Sequence, residues 1–185
     1  MPAPRIAPVA PPYEPDTAAL LAKWMPPGVE VEPLRLFRTL VVHDELASRM
    51  RPLGAGILGH PRLDPRDREL LILRTCARAG AEYEWGVHAV SFARPLGLDD
   101  RQLAATVHGS ADDAAWSRAD GQLIAAADAL YDTDTIPQEL WEELSLRLRG
   151  DQLLELVIVA GWYRLISYVI NAAGVELEPW AARFP

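Results

Sequence analysis

The chain has 185 residues, of which 50% are hydrophobic and 24% charged, and its formal net charge is -8. This length and composition predict one domain with a sizeable core. The acidic balance argues against nonspecific nucleic-acid binding, which needs clustered Lys and Arg. Because Cys76 is the only cysteine, an intramolecular disulfide and a cysteine-based zinc site are excluded. The absence of disulfides is typical of a reducing compartment and favours a cytoplasmic location.

The N-terminal segment, residues 1–15, contains six prolines and no apolar run long enough for a signal peptide. Proline-rich segments lose little entropy on ordering. Residues 1–15 are therefore predicted to form an extended arm that either wraps a neighbouring subunit or stays a loosely ordered tail. Residues 16–185 are predicted to form one helical domain.

The first half of the chain has helical rather than alternating periodicity. The predicted helices cover residues 16–25, 33–50, 65–78 and 81–96. A Pro-Pro-Gly run at 26–28 ends the first helix, and Gly54, Gly56 and Gly59 are expected to loosen the chain after the second. The third begins at Asp64-Pro65, an N-cap followed by a proline at the first helical position.

The third and fourth helices carry charged side chains in unusual places. Glu69 begins a stripe that continues through Ile72, Leu73 and Cys76, which is the spacing of a core-facing surface. A carboxylate there must be paired, hydrogen-bonded or protonated, because burying it alone is costly. On the fourth helix Glu84 and His88 are four residues apart, so they share one face. These three residues are the candidate site.

The second half of the chain continues the same pattern. Four more helices are predicted, over residues 99–107, 117–131, 137–150 and 151–173. The segment 153–173 is the longest apolar stretch, but it contains Glu155, Arg164 and Asn171, which favours a buried helix over a membrane span. No convincing strand appears. The predicted fold is all-α, with about eight helices.

The residues alone leave several interpretations of the site open. A Glu–His pair on a helix is often a partly exposed surface pair, and Glu69 could simply accept a buried hydrogen bond. Two glutamates and a histidine can also bind Zn, Mn or Fe, as in a metal-assisted hydrolase, lyase or oxygenase. A fourth interpretation is a helical scaffold without activity. The other histidines lack obvious partners and are interpreted as surface or loop residues: His43, His60 and His108.

Three groups of residues resemble the carboxymuconolactone decarboxylase and AhpD-like superfamily. They are Arg68-Glu69-Leu70-Leu71-Ile72-Leu73-Arg74, then Glu82-Tyr83-Glu84-Trp85 with His88, and the C-terminal Asn171-Ala172-Ala173-Gly174. The resemblance covers about residues 33–179 and implies an AhpD-like helical bundle. In the AhpD branch, thiol peroxidases carry a Cys-x-x-Cys pair, whose positions fall here on Ala81 and Glu84. Because both cysteines are absent, peroxidase chemistry is disfavoured.

The resemblance then points to the decarboxylase branch, which needs no cofactor. It implies a lyase that acts on a small carboxylated lactone or related acid, in a homo-oligomer that is often a trimer or hexamer. His88 suits the proton donor, and Glu84 or Glu69 would orient its ring or raise its pKa. Further candidates are Arg74 or Arg164 for the substrate carboxylate, and Tyr83 and Trp85 as pocket walls, although packing is the favoured role of both aromatic residues.

Overall fold

The computed structural model describes residues 3–25 and 31–185, and within these ranges the chain is helical with no β-strand. Nine α-helices follow in chain order: α1 Pro15–Trp24, α2 Arg35–Leu40, α3 Asp44–Gly59, α4 Pro65–Arg78, α5 Glu82–His88, α6 Asp100–His108, α7 Arg118–Thr133, α8 Gln138–Ser145 and α9 Gly150–Ala173. The all-α prediction is confirmed. The predicted stop of the first helix at 26–28 lies outside the described residues.

Helix α4 forms the centre of the molecule. The Asp64 side chain accepts a hydrogen bond from the Arg66 backbone N–H at 2.9 Å and so caps the helix. Every residue from 68 to 76 is buried, because α5, α6, α7 and α9 all pack against α4. The charged side chains of this stretch are therefore enclosed by other helices, and each needs a partner inside the protein.

The region before α4 differs from its prediction. Instead of one helix over 33–50, a 3-10 turn at Val41–His43 separates α2 from α3. Helix α3 then runs through Pro52 and the glycines to Gly59. At Gly54 a Cβ atom would lie 2.9 Å from Cζ2 of Trp162, so glycine here allows α3 to approach the α9 side chain closely. The glycines do not loosen the chain as predicted.

The fourth predicted helix, over 81–96, also ends earlier than expected. Helix α5 stops at His88, and a π-helical turn follows at Ala89–Ala93. Such a turn adds one residue to the repeat, which changes the direction of the side chains that come after it. Phe92 lies in this turn and contacts His88.

Helix α9 has two apolar faces. One face is buried in the core and includes Leu156, Tyr163 and Ile170. The opposite face exposes Leu154 and Leu165, which are 61% and 42% exposed. Among the described residues α9 is the one helix long and apolar enough to cross a membrane, and half of its most apolar window is buried in the protein. A core helix of a soluble protein has the same character.

Both chain ends lie against the helices of their own chain. In the N-terminal arm, the backbone N–H groups of Arg5 and Ile6 donate to the carbonyl of Ala173, at 2.7 and 3.2 Å. At the other end, the Ala182 N–H donates to the carbonyl of Gly86 at 3.3 Å. The arm thus braces the end of α9, and the C-terminal tail braces α5.

Candidate active site

Four charged side chains from α4 and α5 form a row inside the protein. Arg68 donates from Nε and Nη2 to Oε1 of Glu69, at 3.2 and 3.1 Å. The other oxygen, Oε2, lies 2.7 Å from Nδ1 of His88. Nε2 of His88 lies 3.6 Å from Oε1 of Glu84. The structure therefore brings together Glu69, Glu84 and His88, and adds Arg68.

The helix geometry explains how these groups meet. Glu84 and His88 share one face of α5 because they are four residues apart. Glu69 points from the core-facing stripe of α4 towards this face and is fully buried. With His88 protonated, positive and negative groups alternate along the row and their charges cancel. Burial of four ionisable groups becomes tolerable because each one has an oppositely charged partner.

The carboxylates set the protonation state of His88. Burial by itself lowers the pKa of the imidazole, but the charge and hydrogen bond of Glu69, together with the contact to Glu84, raise the pKa from 6.5 to about 9. His88 is therefore an imidazolium at neutral pH. A buried, protonated imidazole that faces a loosely held carboxylate is a group able to donate a proton.

Aromatic rings enclose His88. The Phe92 ring is stacked on the imidazole with its centroid 4.8 Å away. The Tyr163 ring of α9 meets the imidazole edge-on at 5.0 Å. Burial, followed by the charges of Glu84 and Glu69, raises the pKa of the Tyr163 hydroxyl well above its ordinary value, so this hydroxyl stays protonated. The rings restrict the imidazole to one orientation.

Side-chain exposure increases from Glu69 through His88 to Glu84. The side chain of Glu69 is 0% exposed, that of His88 is 4% exposed and that of Glu84 is 9% exposed. The described residues thus leave Glu84 nearest to solvent, with His88 behind it.

The structure gives Arg74 a different environment from the one predicted. Its guanidinium donates to both oxygens of Asp128, at 2.6 and 2.8 Å. It also donates to the carbonyls of Thr106 and Gly109, at 3.0 Å each. All these bonds join α4 to other helices and loops of the same chain. Arg74 therefore has no free donor directed at Glu84 and His88, and its role as a substrate ligand has no support in the geometry.

The other proposed substrate residues also lie outside the row. The Tyr83 hydroxyl donates to Glu178 at 2.7 Å and accepts from the Leu36 N–H at 3.1 Å. The Trp85 indole donates to the Thr106 hydroxyl at 2.8 Å. These hydrogen bonds join α5 to its neighbours, which agrees with the packing role that the sequence favours for both aromatic residues. Arg164 lies in a separate cavity between α7 and α9.

Sequence reasoning missed Arg68, Phe92 and Tyr163. Arg68 is 4% exposed and its pairing with Glu69 joins neighbours in sequence, which helical periodicity does not predict. Phe92 is brought to the imidazole by the π turn. Tyr163 comes from α9, and its sequence position 75 residues after His88 gives no local signal of the contact.

The metal-site alternative fits this geometry poorly. Within residues 3–25 and 31–185, no group of three or more His, Cys, Asp and Glu residues is arranged to hold a metal ion. In addition, both ring nitrogens of His88 face carboxylate oxygens. With His88 protonated, neither ring nitrogen has a lone pair to offer to a metal ion.

The fold and this row define the class of protein: an all-α bundle with a buried histidine held between two carboxylates. Residues 44–129 match the model of the Carboxymuconolactone decarboxylase family, and this segment contains the complete row. This match supports the carboxymuconolactone decarboxylase and AhpD-like superfamily that the sequence predicted. A comparison with curated proteins gives no match.

Solved structures share the fold at low identity. A peroxidase-related protein from Silicibacter sp. TM1040 is 14% identical, with a TM-score of 0.79 and 100% of both chains covered. The debrominase Bmp8, solved as a cysteine-to-alanine variant in complex with 2,3,4-tribromopyrrole, is 14% identical, with a TM-score of 0.75 and coverage of 95% of this chain and 92% of that one. An Agrobacterium tumefaciens protein of unknown function, with a suggested AhpD role in antioxidant defence, is 14% identical, with a TM-score of 0.66 and coverage of 73% and 92%.

Proposed function

We propose that this protein is a carboxymuconolactone decarboxylase-like lyase that removes carbon dioxide from a small carboxylated lactone or a related acid. The observation that supports this proposal is the placement of His88: its Nδ1 is bound to Glu69, while Nε2 makes only a 3.6 Å contact to Glu84. Nε2 is the nitrogen whose proton is less tightly held. It is therefore the proton donor.

The reaction balances with this one donor. The carbon–carbon bond to the substrate carboxylate breaks, carbon dioxide leaves, and the electron pair delocalises into the lactone carbonyl as an enolate-like anion. Nε2 of His88 then delivers its proton to the ring carbon next to the lactone carbonyl, and the ring double bond moves to the carbon that lost the carboxylate. The neutral imidazole takes a new proton from solvent, so the net change consumes one proton and releases one carbon dioxide.

The two glutamates have different roles in this reaction. Glu69 keeps the Nδ1 proton in place, and Arg68 in turn fixes the orientation of the Glu69 carboxylate by donating to Oε1. Glu84 is the most exposed member of the row and lies on Nε2, so it relays the proton that restores the imidazolium. The cationic imidazole also stabilises the developing enolate charge, because a buried charge acts strongly at short range.

Thiol peroxidase chemistry is the weaker candidate. The two motif positions hold Ala81 and Glu84, and the one cysteine is Cys76. Burial raises the pKa of the Cys76 thiol well above its ordinary value, and the charges of Glu84 and Glu69 raise it further. A thiol that does not ionise is a poor nucleophile towards peroxide.

The assembly and the substrate class belong to the same proposal. The outward face of α9 exposes Leu154, Ile158 and Leu165 together, which supports a homo-oligomer such as a trimer or hexamer. The brominated pyrrole bound by Bmp8 is a small unsaturated ring, and an unsaturated lactone acid is similar in size. A cytoplasmic location fits the lack of disulfides.

The experiment is an assay of carbon dioxide release from carboxymuconolactone by the purified chain, with the product analysed after reaction in deuterium oxide. We expect release of carbon dioxide and incorporation of one deuterium at the ring carbon next to the lactone carbonyl. His88→Gln should lower the rate by about 10²- to 10⁴-fold. The matched control is His60→Gln, because His60 is an exposed histidine that is not part of the row.

Two results would contradict the proposal. One is unchanged turnover in His88→Gln, which would remove the proton donor. The other is the absence of carbon dioxide release from carboxymuconolactone and from related lactone acids, which would favour the inactive scaffold. Turnover that EDTA abolishes and added Zn or Mn restores would instead establish the metal-assisted alternative.

A further inference from the structure

A cavity of about 220 Å³ lies between α7 and α9. The side chains that line it include Thr75 of α4, Ala127, Leu130 and Tyr131 of α7, and Ala160 and Arg164 of α9. Glu69, Glu84 and His88 are not among the lining residues. The cavity is therefore separate from the candidate active site, although both use neighbouring residues of α4 and α9.

Arg164 supplies the cation of this cavity. Its Cζ atom lies 3.5 Å from the centroid of the Tyr131 ring, so the guanidinium is stacked on the aromatic face. Nε donates to the Tyr168 hydroxyl at 2.8 Å. Nη1 is buried and has no hydrogen-bond partner among the residues that the structure describes. The guanidinium is thus held in one orientation with a donor unused.

Thr75 supplies a second unused polar group. This residue is 4% exposed, and its hydroxyl is buried without a hydrogen-bond partner in the described part of the chain. A buried donor without a partner costs free energy, so natural proteins rarely retain one unless something else satisfies it. The two residues that carry these donors, Thr75 and Arg164, line the same cavity, which points to a ligand that accepts hydrogen bonds.

We propose that this cavity binds a small planar carboxylate. The ligand oxygens would accept hydrogen bonds from Arg164 and Thr75, because guanidinium donors match carboxylate geometry. Its hydrocarbon part would lie against Ala127, Leu130 and Ala160. Asp134 lies at the rim and is exposed, so it opposes an anion weakly through solvent. The nearby cation Arg78 is already paired with Asp128 and Asp132.

A side chain from a second copy of the protein is the competing occupant. Val157 and Gly161 line the cavity and also lie on the outward face of α9. Sedimentation measurements during the ligand titration separate the two cases. Binding that persists in the assembled protein supports the ligand site, whereas binding confined to dissociated subunits would overturn it.

The test is calorimetric titration of the full chain with benzoate, and with benzyl alcohol as the uncharged analogue. We expect saturable benzoate binding, with no binding of benzyl alcohol. Arg164→Met should weaken benzoate binding about ten- to a hundredfold, because it removes a charged hydrogen bond. Thr75→Val should weaken it about fivefold without loss of stability, because the new side chain has the same shape and leaves no unsatisfied hydroxyl.

Two further variants sharpen the result. Asp134→Asn should tighten benzoate binding about two- to threefold, because it removes the charge at the rim. Arg118→Met removes a cation from an exposed position far from the cavity and should change nothing. No saturable benzoate binding by the wild-type chain, or equal binding by Arg164→Met, would overturn the proposal. The outcome is independent of the lyase assay, since the readout is binding at residues outside the row.

Discussion

Oε2 of Glu69 and Nδ1 of His88 lie 2.7 Å apart, although the two residues are 19 positions apart in the chain and come from different helices. Both side chains are almost completely enclosed. Such a contact is strong because little water screens it. It determines which ring nitrogen is fixed and leaves the other nitrogen directed at Glu84. The properties of the site depend on this pair.

Replacing Glu69 with glutamine should lower the pKa of His88 below its value of about 9. Burial lowers this pKa, and only Glu84 would remain to oppose the effect. Histidine resonances in a heteronuclear NMR titration report the pKa directly. If His88 donates the proton, turnover at pH 8 should fall and the alkaline limb of the rate profile should move to lower pH.

The control for this change is Glu139→Gln, since Glu139 is an exposed glutamate of α8. It removes the same charge and should leave the His88 titration unchanged. A His88 pKa that stays near 9 in Glu69→Gln would show that the 2.7 Å contact does not determine the protonation state.

The free energy of unfolding should depend on alkaline pH through His88. Its pKa is 6.5 in the unfolded chain and about 9 in the folded protein. The stabilisation is therefore fully present below pH 6.5 and is lost as pH rises through about 9. The difference corresponds to on the order of 3 kcal/mol.

Urea unfolding of the wild-type chain at a series of pH values measures this dependence. The variant His88→Gln should lose it, because glutamine does not titrate. The variant His88→Gln also removes the positive charge between two buried carboxylates, which changes its stability for a second reason. Direct titration of His88 in the folded wild-type chain is therefore the second measurement. A folded-state pKa at or below 6.5 would contradict the prediction.

Gly86→Ala should displace the C-terminal tail from α5. A Cβ atom at Gly86 would lie 2.1 Å from the carbonyl oxygen of Ala182. The hydrogen bond from the Ala182 N–H to the Gly86 carbonyl and the contact between Trp85 and Phe184 would be lost or distorted. We expect a loss of about 1–3 kcal/mol in the free energy of unfolding, measured by urea denaturation.

The matched substitution is Gly56→Ala. Gly56 lies within α3, and a Cβ atom there meets nothing within 4 Å. Alanine has the higher helix propensity, so this variant should be as stable as the wild type or more so. Equal stability of the two variants would show that the tail does not pack against Gly86 as described.

Arg74→Met should reduce stability rather than turnover of the folded protein. Arg74 holds Asp128 through two hydrogen bonds, and its side chain is 6% exposed. Breaking a buried ion pair by removing one partner costs about 3 kcal/mol. The measurements are urea denaturation and the kcat of the folded fraction. In contrast, Arg49→Met breaks an exposed pair with Glu45 and should have little effect. A large rise in KM with unchanged stability would contradict this prediction and support Arg74 as a substrate-binding residue.

Much of the fold was predictable because helix signals are local. The bounds of α4 agree with the prediction, since Asp64 and Pro65 mark its start and Gly80 adopts a positive φ of 63° just beyond its end. The break between α2 and α3 was not predictable in this way. In the sequence, Gly54 is typical of a helix-breaking residue. In the structure it lies within α3 and allows Trp162 to approach closely, and this contact depends on the position of α9.

The sequence by itself determined that Glu69 lies on a core-facing stripe, that Glu84 and His88 share one face of a helix, and that the motif cysteines are absent. These relationships follow from the 3.6-residue period within single helices. Only the tertiary structure decided that Glu69 is hydrogen-bonded to Nδ1 of His88, that Arg68 donates to Glu69, and that Arg74 is paired with Asp128. Contacts between helices depend on their packing angle and register, and these are decided by the whole core and not by any one segment.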